Sequence, residues 1–320
     1  MSFLGIDIGG TKVALRAEHE GSAEVSEYSF AWPGPGLDVA EDLRLLRERV
    51  VVTVPQESIT AAGVSVPATV DSAGKVVAWP VRPSWVGLDF GAELRAIFPG
   101  VPVCFADDGD LAAVAEARAA DCADLLYVGV GTGIGGGIVL DGRPCPGLTR
   151  ASCELGHVVV TGSGEVCDCG RRGCVQAAAS GPATLRRAAR AHGGDVTAAR
   201  LRYGIEAGES WAVSAVTKSA EALAALIVSV AELCAPNLAL IGGGFAAGIP
   251  ALVPLVAEEV GRLTRLGHEP PPVRPALLGG LSSLHGAVLA ARDLAGAAGG
   301  AASGAAPSTE ISSRARAASR

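Results

Sequence analysis

Residues 2–18 read SFLGIDIGGTKVALRAE: an apolar run, a turn built on two glycines and a threonine, and a second apolar run. That pattern predicts two strands joined by a glycine turn, a β-hairpin. Residues 125–142, LLYVGVGTGIGGGIVLDG, repeat it as strand, glycine-rich turn, strand. After each hairpin comes a strand that ends in polar or glycine residues ahead of a helical pattern, at FADDGDLAA (105–113) and at LALIGGGFAAG (238–248). The duplication predicts two similar α/β domains with a cleft between them. A smaller first domain is expected over residues 1–107 and a larger one over 108–281, with the helix SSLHGAVLAARDLAG, about 282–295, crossing back to the first. Residues 296–320 are of low complexity and poor in large apolar groups, so a disordered tail is expected there.

The bulk properties narrow the class. The chain has 320 residues, 49% of them hydrophobic, enough for substantial cores. Its formal charge of −7 comes without any basic block, which argues against a nucleic-acid partner. MSFLGIDIGGTKVAL is no signal peptide by pattern, and no run of about 18 uncharged apolar residues occurs. A cytoplasmic protein with no membrane partner is therefore expected, and its eight cysteines read as reduced thiols or metal ligands.

Several stretches carry chemistry. DIGGTK, from Asp7 through Gly9, Gly10 and Thr11 to Lys12, offers converging backbone N–H groups, a hydroxyl and an ammonium, a set suited to phosphate. GTGIGGG (131–137), with Thr132 and Gly133, repeats that chemistry without the Gly-Lys-Ser/Thr ending of a P-loop. Both glycine turns lead into a second strand and not into a helix, against a dinucleotide-binding fold. Gly243 and Gly244 end a third strand where a flat nucleotide ring could approach the backbone. ELGHVVVTGSGEVCDCGRRGC (154–174) supplies His157, Cys167, Cys169 and Cys174, a Cys3His set typical of a closed structural zinc site. Such a site would pin the loop carrying Glu154 to the turn carrying Gln176. Finally, Asp107 and Asp108 are adjacent like charges at the end of an apolar run; a helix N-cap is the structural alternative for Asp108.

DIGGTK, ADDGDLAAVAEA, GTGIGGGIV, ELGH and CDCGRRGC, in this order over residues 1 to about 290, resemble the ROK family of sugar kinases and repressors. The resemblance implies an actin/hexokinase-like (ribonuclease H-like) pair of α/β domains with the active site in the interdomain cleft, ATP with Mg2+, and transfer to the 6-hydroxyl of a glucose-like hexose. Asp108 would be the catalytic base. Asp7 would lie near the phosphates and Mg2+; Gly9, Gly10, Thr11, Lys12, Thr132 and Gly133 would form phosphate loops, and Gly243 and Gly244 the nucleotide-side turn. Glu154 and His157 would contact sugar hydroxyls, His157 using its other ring nitrogen for Zn2+. A homodimer is implied as well. ROK repressors carry a DNA-binding domain ahead of the first glycine turn; only six residues precede Asp7, which favours a kinase over a sugar sensor.

Three departures from the family pattern bear on the sugar: Asp107 stands where the family has Asn, Gln176 where it has Glu, and Cys153 where it has Gly. In glucose-phosphorylating relatives that Asn meets the 3-hydroxyl and that Glu the 1-hydroxyl. An amide both donates and accepts, whereas an ionised carboxylate only accepts. Facing a neutral hydroxyl, Asp107 would crowd Asp108 with charge; facing an ammonium, it would form an ion pair. The expected substrate is thus an amino sugar with nitrogen at C3, kanosamine (3-amino-3-deoxyglucose), as in the kinases of ansamycin-type antibiotic pathways. The alternatives are a broad glucokinase that neutralises Asp107 through a water or a neighbour such as Arg82, and a cyclitol kinase.

Overall fold

The computed structural model describes residues 2–302 apart from 23, 35–37, 55–57 and 148–151. The first half opens with β1 (Ser2–Ile8), β2 (Lys12–His19) and β3 (Val25–Ala31), an antiparallel meander. Helix α1 (Val39–Thr53) leads to β4 (Ile59–Val66), parallel to β1. A ribbon of β5 (Thr69–Val70) and β6 (Val76–Ala78) and helix α2 (Phe90–Ile97) precede β7 (Val103–Asp107), parallel to β4. The sheet order is β3-β2-β1-β4-β7. β1 is buried on both faces over nearly its whole length, as its largely apolar run, interrupted by Asp7 near its end, requires.

After α3 (Asp108–Ala119) the plan repeats. β8 (Leu125–Val130), β9 (Ile134–Leu140) and β10 (Arg143–Cys145) form the second meander. Helices α4 (Val175–Ala179), α5 (Gly181–His192), α6 (Ala198–Glu206) and α7 (Ser210–Cys234) then lead to β11 (Leu238–Gly242), parallel to β8. Helices α8 (Gly244–Gly248) and α9 (Leu252–Arg262) precede β12 (Val273–Pro275), and α10 (Ser282–Ala302) closes the described chain. The second sheet runs β10-β9-β8-β11-β12, the order of the first. Among the described helices α7 is long and apolar enough to cross a membrane. It lies instead in the second core, where Leu223, Leu226 and Ile227 pack with Leu126, Val128 and Val256.

Three close approaches at glycines hold the sheets and helices of the two halves together. A Cβ on Gly109, in the first turn of α3, would lie 2.6 Å from the Gly136 nitrogen of β9, so only glycine lets this helix seat on the second sheet. On the other side α10 lies against β1, β4 and α3. A Cβ on Gly63 would meet the Ala287 carbonyl oxygen at 2.0 Å, and one on Gly286 the Leu111 carbonyl oxygen at 2.0 Å. The fully buried Glu116 of α3 fixes the start of α10, accepting from Leu277 N at 2.8 Å, Leu278 N at 3.1 Å and the Ser282 hydroxyl at 2.6 Å.

One expectation is corrected and one alternative is set aside. The helix expected to stop near 295 runs to Ala302, so the first part of the supposed tail is helical; residues 303–320 lie outside the described residues. The N-cap of α3 is Asp107 and not Asp108: the Asp107 carboxylate accepts from Gly109 N at 2.9 Å, and Asp108 is the first helical residue. The cap role thus falls on the other acid of the pair.

Candidate active site

The β1–β2 turn is held from behind. Gly9 N donates to the Lys12 carbonyl at 2.9 Å, and Trp32 N to the Thr11 carbonyl at 3.0 Å. Trp32 Nε1 donates to the Gly9 carbonyl at 2.8 Å and Arg82 Nε to the Gly10 carbonyl at 3.1 Å. A Cβ on Gly10 would lie 2.5 Å from Val81 Cγ2. With its carbonyls tied back, the turn leaves Thr11 and Lys12 exposed at its tip. Arg82 is fully buried; its guanidinium stacks 4.2 Å over Trp32, donates to Asp42 Oδ2 at 2.6 Å and reaches the Gly34 carbonyl at 3.2 Å. It is therefore committed to the turn, which removes the suggestion that Arg82 neutralises Asp107. Sequence reading missed this support, because Asp42, Trp32 and Arg82 carry no local motif.

The acids gather where β7 passes into α3. Asp7, near the end of β1, accepts from the Ser65 hydroxyl of β4 at 2.9 Å. Burial raises the Asp7 pKa, against the pull of the Ser65 and Ser283 hydroxyls and the Lys12 ammonium. Asp107 and Asp108 are both raised to about 7, first by burial and then by like charge. For Asp107 the strongest like charge is Asp110, for Asp108 it is Asp107 and then Asp7; Glu154 acts on both. The exposed Glu154 comes from the second half and Asp7 from the first, so Asp108 stands where the two halves face each other. Asp110 is a member that sequence reading passed over as one acid of a helical first turn. It is 3% exposed, and burial lifts it to about 6.

In the second half, Gly131 N donates to the Gly133 carbonyl at 2.9 Å across the β8–β9 turn, and Gly181 N to the Gly131 carbonyl at 2.9 Å; Thr132 is exposed. Gln176, the second residue of α4, turns its Oε1 onto this turn, where it accepts from Ile134 N at 3.2 Å. A Cβ on Gly133 would lie 3.0 Å from that oxygen. The expected sugar ligand at 176 is thus also a brace for the turn. Gly243 adopts φ +88° beneath β8, and a Cβ there would sit 2.5 Å from the Val130 carbonyl oxygen; Gly244 opens α8.

His157, Cys167, Cys169 and Cys174 converge, with one donor atom from each lying within 4.8 Å of the others. Cys169 and Cys174 Sγ are 3.7 Å apart, and Cys167 Sγ is 3.6 Å from His157 Nδ1. A tetrahedral zinc with bonds of about 2.3 Å to sulfur and about 2.0 Å to nitrogen has edges of roughly these lengths. The four donors fit that ion, with Nδ1 as the nitrogen ligand. Holding it would fasten the 3₁₀ turn Leu155–His157, which Glu154 precedes, to the N-terminus of α4, which follows Cys174.

The model of the ROK family matches residues 3–293. A kanosamine kinase of Amycolatopsis mediterranei (strain S699) is 53% identical over 290 residues, 89% of this chain and 94% of that protein. An N-acetylmannosamine kinase of Citrobacter koseri is 32% identical over 264 residues, 79% of this chain and 87% of that protein. Among solved structures, a ROK hexokinase from Thermus thermophilus superposes with a TM-score of 0.80 at 30% identity, covering 91% of this chain and 98% of that one.

Proposed function

Given that the chain belongs to the ROK family and has its actin/hexokinase-like α/β fold, we propose that it is a kinase that transfers the γ-phosphoryl group of ATP to the 6-hydroxyl of kanosamine. The observation that carries the sugar assignment is Asp107: a largely buried carboxylate beside the base, with no cation among the described residues recorded as its partner. An ammonium at C3 would be that partner. The likeness to a kanosamine kinase at 53% identity supports the same reading.

In this reading Asp108 takes the proton from the 6-hydroxyl as the oxygen attacks the γ-phosphorus, and ADP leaves with the electrons of the broken P–O bond. A base raised to about 7 is matched to that task near neutral pH. Phosphoryl transfer asks chiefly for positioning and charge neutralisation. The turns at Gly9–Lys12 and Thr132–Gly133 would hold phosphate oxygens on backbone N–H groups, with Mg2+ arriving on the nucleotide beside Asp7. The turn at Gly243–Gly244 would take the nucleoside. Glu154 and His157 Nε2 would hold sugar hydroxyls, with Zn2+ keeping the imidazole in place through Nδ1. Gln176 would contribute near C1 without adding charge.

Comparing kcat/KM for kanosamine and glucose in wild type and Asp107→Asn tests the assignment. The wild type should prefer kanosamine, and the substitution should cut that preference by about tenfold or more, the worth of a partly buried ion pair. Preference for glucose in the wild type, or an unchanged ratio in the variant, would overturn it.

A further inference from the structure

Asp110 has no task in the reading above, yet it is among the most buried charged groups of the chain at 3% exposed. One of its oxygens accepts from the backbone N–H of Cys153. The other, Oδ1, is buried and has no hydrogen-bond partner among the described residues. A buried carboxylate oxygen left without a donor is costly in a folded protein and calls for an explanation. Its placement supplies one. Asp107 is the N-cap of α3 and Asp110 the third helical residue, and side chains so spaced lie on one face of the first turn. The charge of Asp110 is accordingly the strongest like charge acting on Asp107.

We propose that Asp107 and Asp110 work as a one-proton acid pair that recognises a cationic amino group: without an amino sugar they share a proton, and the ammonium arriving at Asp107 displaces it. The balance is closed. Before binding, two carboxylates and one proton carry a single negative charge; afterwards two carboxylates and one ammonium carry the same charge, and one proton has gone to solvent. A neutral hydroxyl at C3 cannot displace the proton, so the pair answers to charge and not to shape. The shared proton also gives the otherwise unpartnered Oδ1 a hydrogen-bonded state in the sugar-free enzyme.

The other ionisable groups around the pair do not take over this role. Asp108 on the same helix is the base and is itself raised by Asp107 and Asp7. Glu154, from the loop facing α3, is exposed to solvent. The Cys153 thiol donates to the Cys145 carbonyl at 2.8 Å and is pushed up by burial to about 11, so it stays neutral. Both carboxylates of the pair are largely buried and stand at the N-cap and the third helical position of α3, a spacing from which side chains on one face of the first turn can close to the hydrogen-bond distance that proton sharing requires.

This inference rests on the amino-sugar reading and is tested beside it. Calorimetric titration of the full-length protein with kanosamine near neutral pH, in two buffers of different ionisation enthalpy, measures protons released on binding. With Asp107 at about 7, the wild type should release about half a proton at pH 7, rising toward one near pH 6, with kanosamine, and none with glucose. Asp110→Asn keeps the acceptor for Cys153 N–H; it should abolish the release and lower the kanosamine-to-glucose ratio of kcat/KM by roughly tenfold. Should Asp110→Asn fail to fold, Asp110→Ser provides the same comparison. Proton release and ratio both unchanged in the Asp110 variant, while Asp107→Asn loses selectivity, would overturn the pair and leave the amino-sugar reading standing. A wild type that prefers glucose overturns both.

Discussion

Replacing Arg82 by methionine tests how the first glycine turn is held. The side chain is fully buried and its partner Asp42 is 5% exposed, with 2.6 Å between Nη1 and Oδ2. Methionine fills much of the volume but leaves the Asp42 carboxylate with the Trp85 Nε1 donor, at 2.8 Å, as its remaining side-chain partner among the described residues. Removing one partner of a buried pair costs about 3–5 kcal/mol, because the other charge stays behind uncompensated. In urea that is a fall of roughly 1–3 M in the midpoint. Three of the four tryptophans, Trp32, Trp79 and Trp85, lie in the first core and the fourth, Trp211, packs against the second, so tryptophan fluorescence reports mainly the first half. The double variant Asp42→Asn, Arg82→Met removes both charges and should recover part of the loss. Arg82→Lys separates charge from positioning: it keeps a cation near Asp42 but not the fork that also reaches the Gly10 and Gly34 carbonyls. It should therefore regain stability while KM for ATP stays several-fold above wild type. A stability loss below about 1 kcal/mol in Arg82→Met, or an unchanged KM for ATP in both variants, would refute the reasoning.

Cys169→Ser should lower bound zinc, measured by atomic absorption, and raise KM for the sugar more than KM for ATP, since the ion would fasten the loop of Glu154 and not the glycine turns; full zinc content in that variant would remove Cys169 from the ligand set. The raised carboxylates make activity and stability run in opposite directions with pH. As the proposed base Asp108 would have to be ionised to act, so kcat/KM should rise with pH through about 7 and level off above it, and a flat profile across that range would count against Asp108 as base. Because Asp107, Asp108 and Asp110 hold protons in the folded chain at pH values where the unfolded chain has lost them, stability of the sugar-free protein should fall as pH rises from about 4 to about 7. Thermal unfolding with a midpoint that climbs over that range would contradict the burial of these groups.

The two glycine hairpins were legible because a hairpin is local: strand, turn and strand lie within one short window. Their repetition predicts two similar α/β units, and the structure adds that the two sheets share one strand order, β3-β2-β1-β4-β7 and β10-β9-β8-β11-β12. The Cys3His cluster was legible because metal ligands are few residue types at close spacing, and the donors do converge. What escaped was everything that depends on partners remote in sequence. Arg82 meets Asp42 across 40 residues, and Glu116 meets Ser282 across 166. Nothing in the pattern of either segment announces the other. The tail was misjudged for a related reason: helix formers such as alanine continued a helix already anchored by packing at Ala287 and Ala291, so residues of low complexity stayed helical to Ala302.

Asp110 escaped for a subtler reason. In sequence it is one more acid in the first turn of a helix, where acids are ordinary because the helix N-terminus favours them. Only the packing of α3 onto β9, through Gly109 on Gly136, decides that this acid points inward and is shut away from water. The same packing buries Asp107 and brings like charges together, an arrangement that destabilises the folded chain and that no structural need of the helix explains, since a single N-cap would serve. Ionisable groups held at such a cost cluster at sites that bind charge or move protons. Three raised carboxylates on one helical turn therefore argue for a ligand that brings positive charge with it. A neutral hexose would leave that cost unrelieved.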